Sequence, residues 1–159
     1  MDYFQGIVTD YLRADRSVFV NTECLIQLEP GDAPPKNEHW YCDIVAVCFR
    51  DRRVYLCEVT FSKSLQGLAK RLHAWSAQWP AVVAAVHNDC MTPPAFEVLP
   101  WVFIPERSSR TWGRLRSTIA SAAPTEPVMP SPRLTYLEHT VPWLYKGWNR
   151  EDTALAGES

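Results

Sequence analysis

DIVAVCFRDRRVYLCEVTFSK, residues 43 to 63, holds two strongly apolar runs around a short charged turn. One run opens on an acid, Asp43, and the other carries an acid, Glu58, among Tyr55, Leu56, Cys57, Val59 and Phe61. Runs this rich in β-branched and aromatic residues predict two antiparallel strands of a hairpin. Side chains alternate along a strand. Asp43, Val45, Val47 and Phe49 therefore share one face of the first strand, and Val54, Leu56, Glu58 and Thr60 one face of the second. A two-residue loop at Asp51-Arg52 pairs Arg50 with Arg53, which sets Asp43 opposite Thr60 and Val45 opposite Glu58. Any even-length turn keeps both acids on the same face, with Cβ atoms roughly 5–8 Å apart. At that separation two carboxylates can share one divalent cation, and oxygen ligands with several retained waters suit Mg²⁺. Without a cation the acids repel, and one is expected to have a raised pKa. The competing readings pair each acid with an arginine, or turn Glu58 to solvent on an open sheet. Arg50, Arg52 and Arg53 lie at the far end of the hairpin.

Outward from the hairpin, YFQGIVTDYLRA (3–14) places Phe4, Ile7, Val8, Tyr11 and Leu12 at helical spacing. SVFVNTECLIQLEP (17–30) predicts a strand ending at Pro30-Gly31. Ser62 or Ser64 can cap a following helix, in which Leu65, Leu68, Leu72, Trp75 and Trp79 form one apolar stripe. Pro80 suits the first turn of a further short helix, PAVVAAVHN, with a strand as the alternative. FEVLPWVFIP (96–105) predicts a strand whose Pro100 points to an edge or a bulge. RTWGRLRSTIAS predicts a surface helix, APTEPVMPSP a connector, and RLTYLEHTVPWLYKGWNR an aromatic segment that packs back on the domain. The expected order is helix, three antiparallel strands, helix, then a strand parallel to the third.

The 159 residues fit one domain with a real core. The expected division is a single domain over 1–150, with its core at about 3–104, a C-terminal helix and aromatic segment over 105–150, and a polar tail at 151–159. A net charge of −2 restricts any nucleic-acid site to a local basic patch. Cys24, Cys42, Cys48, Cys57 and Cys90 show no zinc spacing and read as small buried hydrophobes of a reducing compartment. With no leader pattern and no run near the ~20 apolar residues of a membrane span, a cytoplasmic protein without a membrane partner is expected.

Helix-strand-strand-strand-helix-strand, with an acid opening the second strand and an acid in the third at the place of an acid-x-Lys element, resembles the PD-(D/E)xK nuclease superfamily. The resemblance covers roughly residues 3 to 104. It implies an α/β (α+β) fold with a restriction-endonuclease-like αβββαβ core, a mixed central sheet flanked by helices. It also implies a Mg²⁺- or Mn²⁺-dependent nuclease that hydrolyses phosphodiester bonds of DNA. Asp43 matches the metal-binding aspartate and Glu58 the acid of the (D/E)xK element. Glu58-Val59-Thr60 has threonine where the family has lysine. That lysine orients or activates the attacking water and offsets charge near the phosphate. Lys63, just past the strand, and Lys70, on the next helix beside Gln66, are the candidates to replace it. A third acid is often present in the family, and Asp10 and Glu23 are the candidates, with Glu23 preferred as a metal ligand. If neither lysine reaches the site, the alternative is a degenerate nuclease-like module that binds a protein or nucleic acid, for example in phage defence or a mobile element.

Other patterns are weaker. His39, His73, His87 and His139 are scattered without HxxxH or HExxH spacing. Trp75, Trp79, Trp101, Trp112, Trp143 and Trp148 can stack bases, although most are expected in the core or a dimer surface. Arg107, Arg110 and Arg114, at i, i+3 and i+7, form one helical face on which a phosphate backbone can lie, and a solvated face is the alternative. A domain this small cuts both strands most simply as a homodimer.

Overall fold

The computed structural model describes residues 1–28, 41–122 and 125–141. Asp2 and Gln5 start the first helix as a capping box, each side chain accepting the other's main-chain N–H. That helix, α1 (Tyr3–Arg13), is followed by β1 (Val18–Leu25), β2 (Tyr41–Cys48), β3 (Arg53–Val59), α2 (Gln66–Ala77), α3 (Trp79–Cys90), β4 (Glu97–Ile104), α4 (Ser109–Ala120) and β5 (Arg133–Tyr136). The strands form one mixed sheet in the order β1-β2-β3-β4-β5. β1 to β3 pair antiparallel, and β3 to β5 pair parallel. The expected order of elements through the parallel strand is therefore present, in a mixed α/β architecture.

Both faces of the sheet are covered, which explains why β3 and β4 read as nearly continuous apolar runs. On one face Val8, Tyr11 and Leu12 of α1 pack on Ile44, Tyr55, Cys57, Trp101 and Phe103. On the other, Val45, Leu56, Val102 and Ile104 meet Leu68, Leu72 and Trp75 of α2, Val82 and Val86 of α3, and Trp112 and Leu115 of α4. Trp75, Trp79, Trp101 and Trp112 are buried core residues. Trp143 and Trp148 lie outside the described residues.

Four details differ from the sequence reading. Cys48, not Arg50, pairs with Arg53, so residues 49–52 make a four-residue turn. Arg50 leaves the ladder because it donates to the buried carboxylate of Asp15, and Arg52 takes a left-handed φ of 53°. Next, α2 begins at Gln66 without a serine cap. Leu65 precedes it at a φ of 53°, its side chain fixed in the core at 1% exposure, while Ser62 and Ser64 bond to each other. Third, β4 is interior to the sheet. Pro100 pairs with Leu56, and β5 joins only from Trp101, so the proline sits where β4 still has one neighbour. Last, β5 is an additional strand from the segment expected only to pack back.

Candidate functional site

β2 and β3 place the two acids. The ladder pairs Ile44 with Cys57 and Val45 with Leu56. Continued by one residue, it sets Asp43 directly opposite Glu58, two residues away from the expected register and on the expected shared face. The main-chain N–H of Val59 donates to Asp43 Oδ2 at 2.8 Å, which closes this end of the pair through a side chain. Glu58 is 1% exposed.

The face that carries the acids is the one α2 covers. Arg71 projects from α2 onto both, donating through one Nη to Glu58 Oε2 and, at 3.4 Å, to Asp43 Oδ1. The arginine reading of the acids is thus met by a helix residue and not by the turn arginines. One guanidinium faces two carboxylates. Burial, with the charge of Asp43, pushes the Glu58 carboxyl up to about 8 against the pull of Arg71. Burial also raises Asp43, opposed by the Val59 N–H and Arg71. At this site the buried Glu58 Oε1 and Arg71 Nε meet no hydrogen-bond partner among the described residues. Such orphans are costly and rare in native proteins.

The group opens on a cleft of about 190 Å³, lined also by Asp2, Gln5, Val59, Thr60, Gly67 and Leu68. The donor chemistry suits a hard divalent cation: two facing carboxylates, one with an oxygen that has no partner. Among the described residues no group of three or more His, Cys, Asp or Glu side chains gathers as a metal cage, so a cation here would rest on Asp43 and Glu58 with water completing its shell.

Comparison with protein-family models, with curated proteins and with solved structures finds no match to this chain.

The other expected residues lie elsewhere. Lys63 and Lys70 are exposed and neither lines the cleft. Lys70 is one position out of phase on α2, where Arg71 has the inward direction. Gln66 is exposed at the start of α2. Glu23 stands across from Asp43 by number, but the β1–β2 pairing skips both residues while keeping its register on either side. Glu23 has a left-handed φ of 55° there, and its carboxylate meets the Met1 ammonium at 2.6 Å. Three acids in one cross-strand row repel, and the backbone inversion takes Glu23 out of that row. Asp10 is exposed on α1. Arg107 belongs to the 3-10 turn Glu106–Ser108 before α4, so it does not continue the helical face of Arg110 and Arg114. Its guanidinium lies 4.0 Å over the Phe61 ring and donates to the Phe61 carbonyl at 2.9 Å. Arg110 and Arg114 are exposed one turn apart on α4.

Arg71, Asp2, Gln5 and Gly67 are the cleft residues that the sequence reading missed. Arg71 had a signal: Leu68, Arg71, Leu72 and Trp75 share one helical face. A charge inside an apolar stripe of a helix asks the same question as an acid inside a strand.

Proposed function

We propose that the chain is a Mg²⁺- or Mn²⁺-dependent nuclease of the PD-(D/E)xK kind, hydrolysing phosphodiester bonds of DNA. The observation that carries the reading is Glu58: a nearly fully buried carboxylate, directly across from Asp43, with Oε1 unpartnered at the wall of a cleft. A buried acid of this kind costs stability unless a charge meets it, and one guanidinium balances only one of the two carboxylates once Glu58 loses its proton. The order of the elements supports a restriction-endonuclease-like reading of the core. Asp43, oriented by the Val59 N–H, and Glu58, fixed by the strand, would hold the cation. The cation, when bound, supplies Lewis-acid polarisation of the scissile phosphate and a more acidic water. Asp43 and Glu58 keep their geometry because both sit on a paired strand under a packed helix, which is where a precise site is best built. Thr60 carries no charge, so the cationic role of the motif lysine falls to another residue. Arg110 and Arg114 are candidates for the phosphate backbone, and a homodimer in the cytoplasm is the simplest working form.

The second reading is a nuclease-like module that binds a nucleic acid or protein partner without cutting. The contact of Arg71 with both acids favours it, since a guanidinium already offsets part of their charge. Calorimetric titration with Mn²⁺ on wild type and Glu58→Ala, with plasmid cleavage on the same samples, separates the two. Binding lost in the variant, with metal-dependent cleavage in the wild type, supports the nuclease. A wild type that neither binds nor cuts leaves the binding module.

A further inference from the structure

We infer that Arg71 has two positions: on the carboxylate pair when no cation is bound, and on the substrate phosphate when one is. This rests on the nuclease reading above. Arg71 faces both Asp43 and Glu58, the place a shared divalent cation would take. The two cannot sit there together without like-charge repulsion.

The geometry gives the side chain room to leave. Arg71 Nε makes no bond, so the guanidinium is held from one end only. Gly67, one turn earlier on α2, lines the same cleft, and a Cβ there would meet nothing within 4 Å. The Arg71 stem emerges between Leu68 and Leu72, both buried, so the helix anchors its base while the head can turn into the cleft. A planar guanidinium matches two phosphate oxygens in bidentate fashion. In that second position Arg71 supplies the charge that Thr60 lacks, while its very high pKa denies it the role of proton acceptor.

The test uses opposite signs. Arg71→Met keeps the apolar stem and removes the charge. Its Mn²⁺ affinity, read by calorimetry, is expected to rise about tenfold or more because a competitor is gone. Its affinity for a labelled duplex oligonucleotide in Ca²⁺ is expected to fall about tenfold, because a charged phosphate contact is gone. Arg71→Lys is expected to keep Mn²⁺ affinity near wild type. A folded Arg71→Met protein with equal or weaker Mn²⁺ affinity overturns the inference, since an arginine that merely supports the site would lower both affinities. Should Arg71→Met fail to fold, a crystal of the Mn²⁺-loaded wild type decides. A guanidinium moved beyond hydrogen-bond reach of Glu58 supports the inference, and one still bonded to it overturns it. A wild type that binds no Mn²⁺ sinks the nuclease reading and this inference with it. A wild type that binds and cuts, with no gain in Arg71→Met, sinks this inference alone.

Discussion

Val59 donates its main-chain N–H to Asp43 Oδ2 at 2.8 Å, so the residue after one acid of the pair orients the other acid. The bond ties a side chain to the strand end where the regular β2–β3 ladder stops. It also separates two functions of Asp43, acceptor and charge.

Substitution at Asp43 resolves those functions. Asp43→Asn keeps an acceptor for the Val59 N–H and loses the charge. It is expected to remove Mn²⁺ binding and cleavage while changing stability by less than about 1 kcal/mol. Asp43→Ala also strands the N–H and is expected to cost about 1–3 kcal/mol in urea denaturation. Equal stability of the two variants would sink this account of the bond.

The pH dependence of stability follows from Glu58. The unfolded chain releases this proton near 4.5, whereas the folded protein holds it to about 8. The native state binds the extra proton between those values, so stability falls as pH rises through that window and levels off above it. The slope is at most about 1.4 kcal/mol per pH unit. Glu58→Gln is expected to flatten it in denaturation curves run across pH 5 to 8 without divalent ions. Asp15 acts at the acid end. Burial works to raise its pKa, and hydrogen bonds from Ser17 and Arg50 outweigh burial and lower it. Its stabilisation is present above 3.8 and is lost as pH falls through the depressed value.

Thr135 accepts from Trp101 Nε1 at 3.0 Å, and both residues are buried. This bond links β4 to β5 at the sheet's parallel edge. Thr135→Val keeps shape and removes the acceptor, and is expected to destabilise by about 1–3 kcal/mol. The urea midpoint, followed by the total tryptophan fluorescence, would report it, and an unchanged midpoint would rule the bond out as a stabilising contact.

Met91 ends α3 in the left-handed region at φ 52° with 86% of its surface exposed. Glycine adopts that conformation without a Cβ penalty. Met91→Gly is expected to raise stability by roughly 0.5–1 kcal/mol, seen as a higher melting temperature. A lower one would mean that the exposed thioether has a packing role.

The acid pair was legible because strand alternation has a period of two. An error of two residues in the turn, which Arg50 caused by bonding Asp15, moved the register without moving either acid off its face. The apolar stripe was legible for a similar reason: Leu68, Leu72 and Trp75 of α2 are core, as are Leu65 just before α2 and Trp79 at the start of α3. Arg71 was harder. A basic residue among basic neighbours reads as a solvated flank until the phase of the helix is fixed to one residue, and Lys70 and Arg71 differ by that one step. Glu23 shows the opposite difficulty. It has a credible place in the row of acids, and a single inverted φ takes it away, which no pattern of side chains announces. β5 is four residues long behind a proline-rich stretch, too short for alternation to stand out.

The position of the acids on a hairpin also has a kinetic side. A four-residue turn brings Asp43 and Glu58 together, a closure that takes on the order of microseconds. Arg71 arrives only when α2 docks on the sheet, a step separate from closure of the hairpin. A hairpin that closes ahead of α2 brings the two carboxylates together without their counter-ion, and so closes most readily at a pH where one of them still keeps its proton.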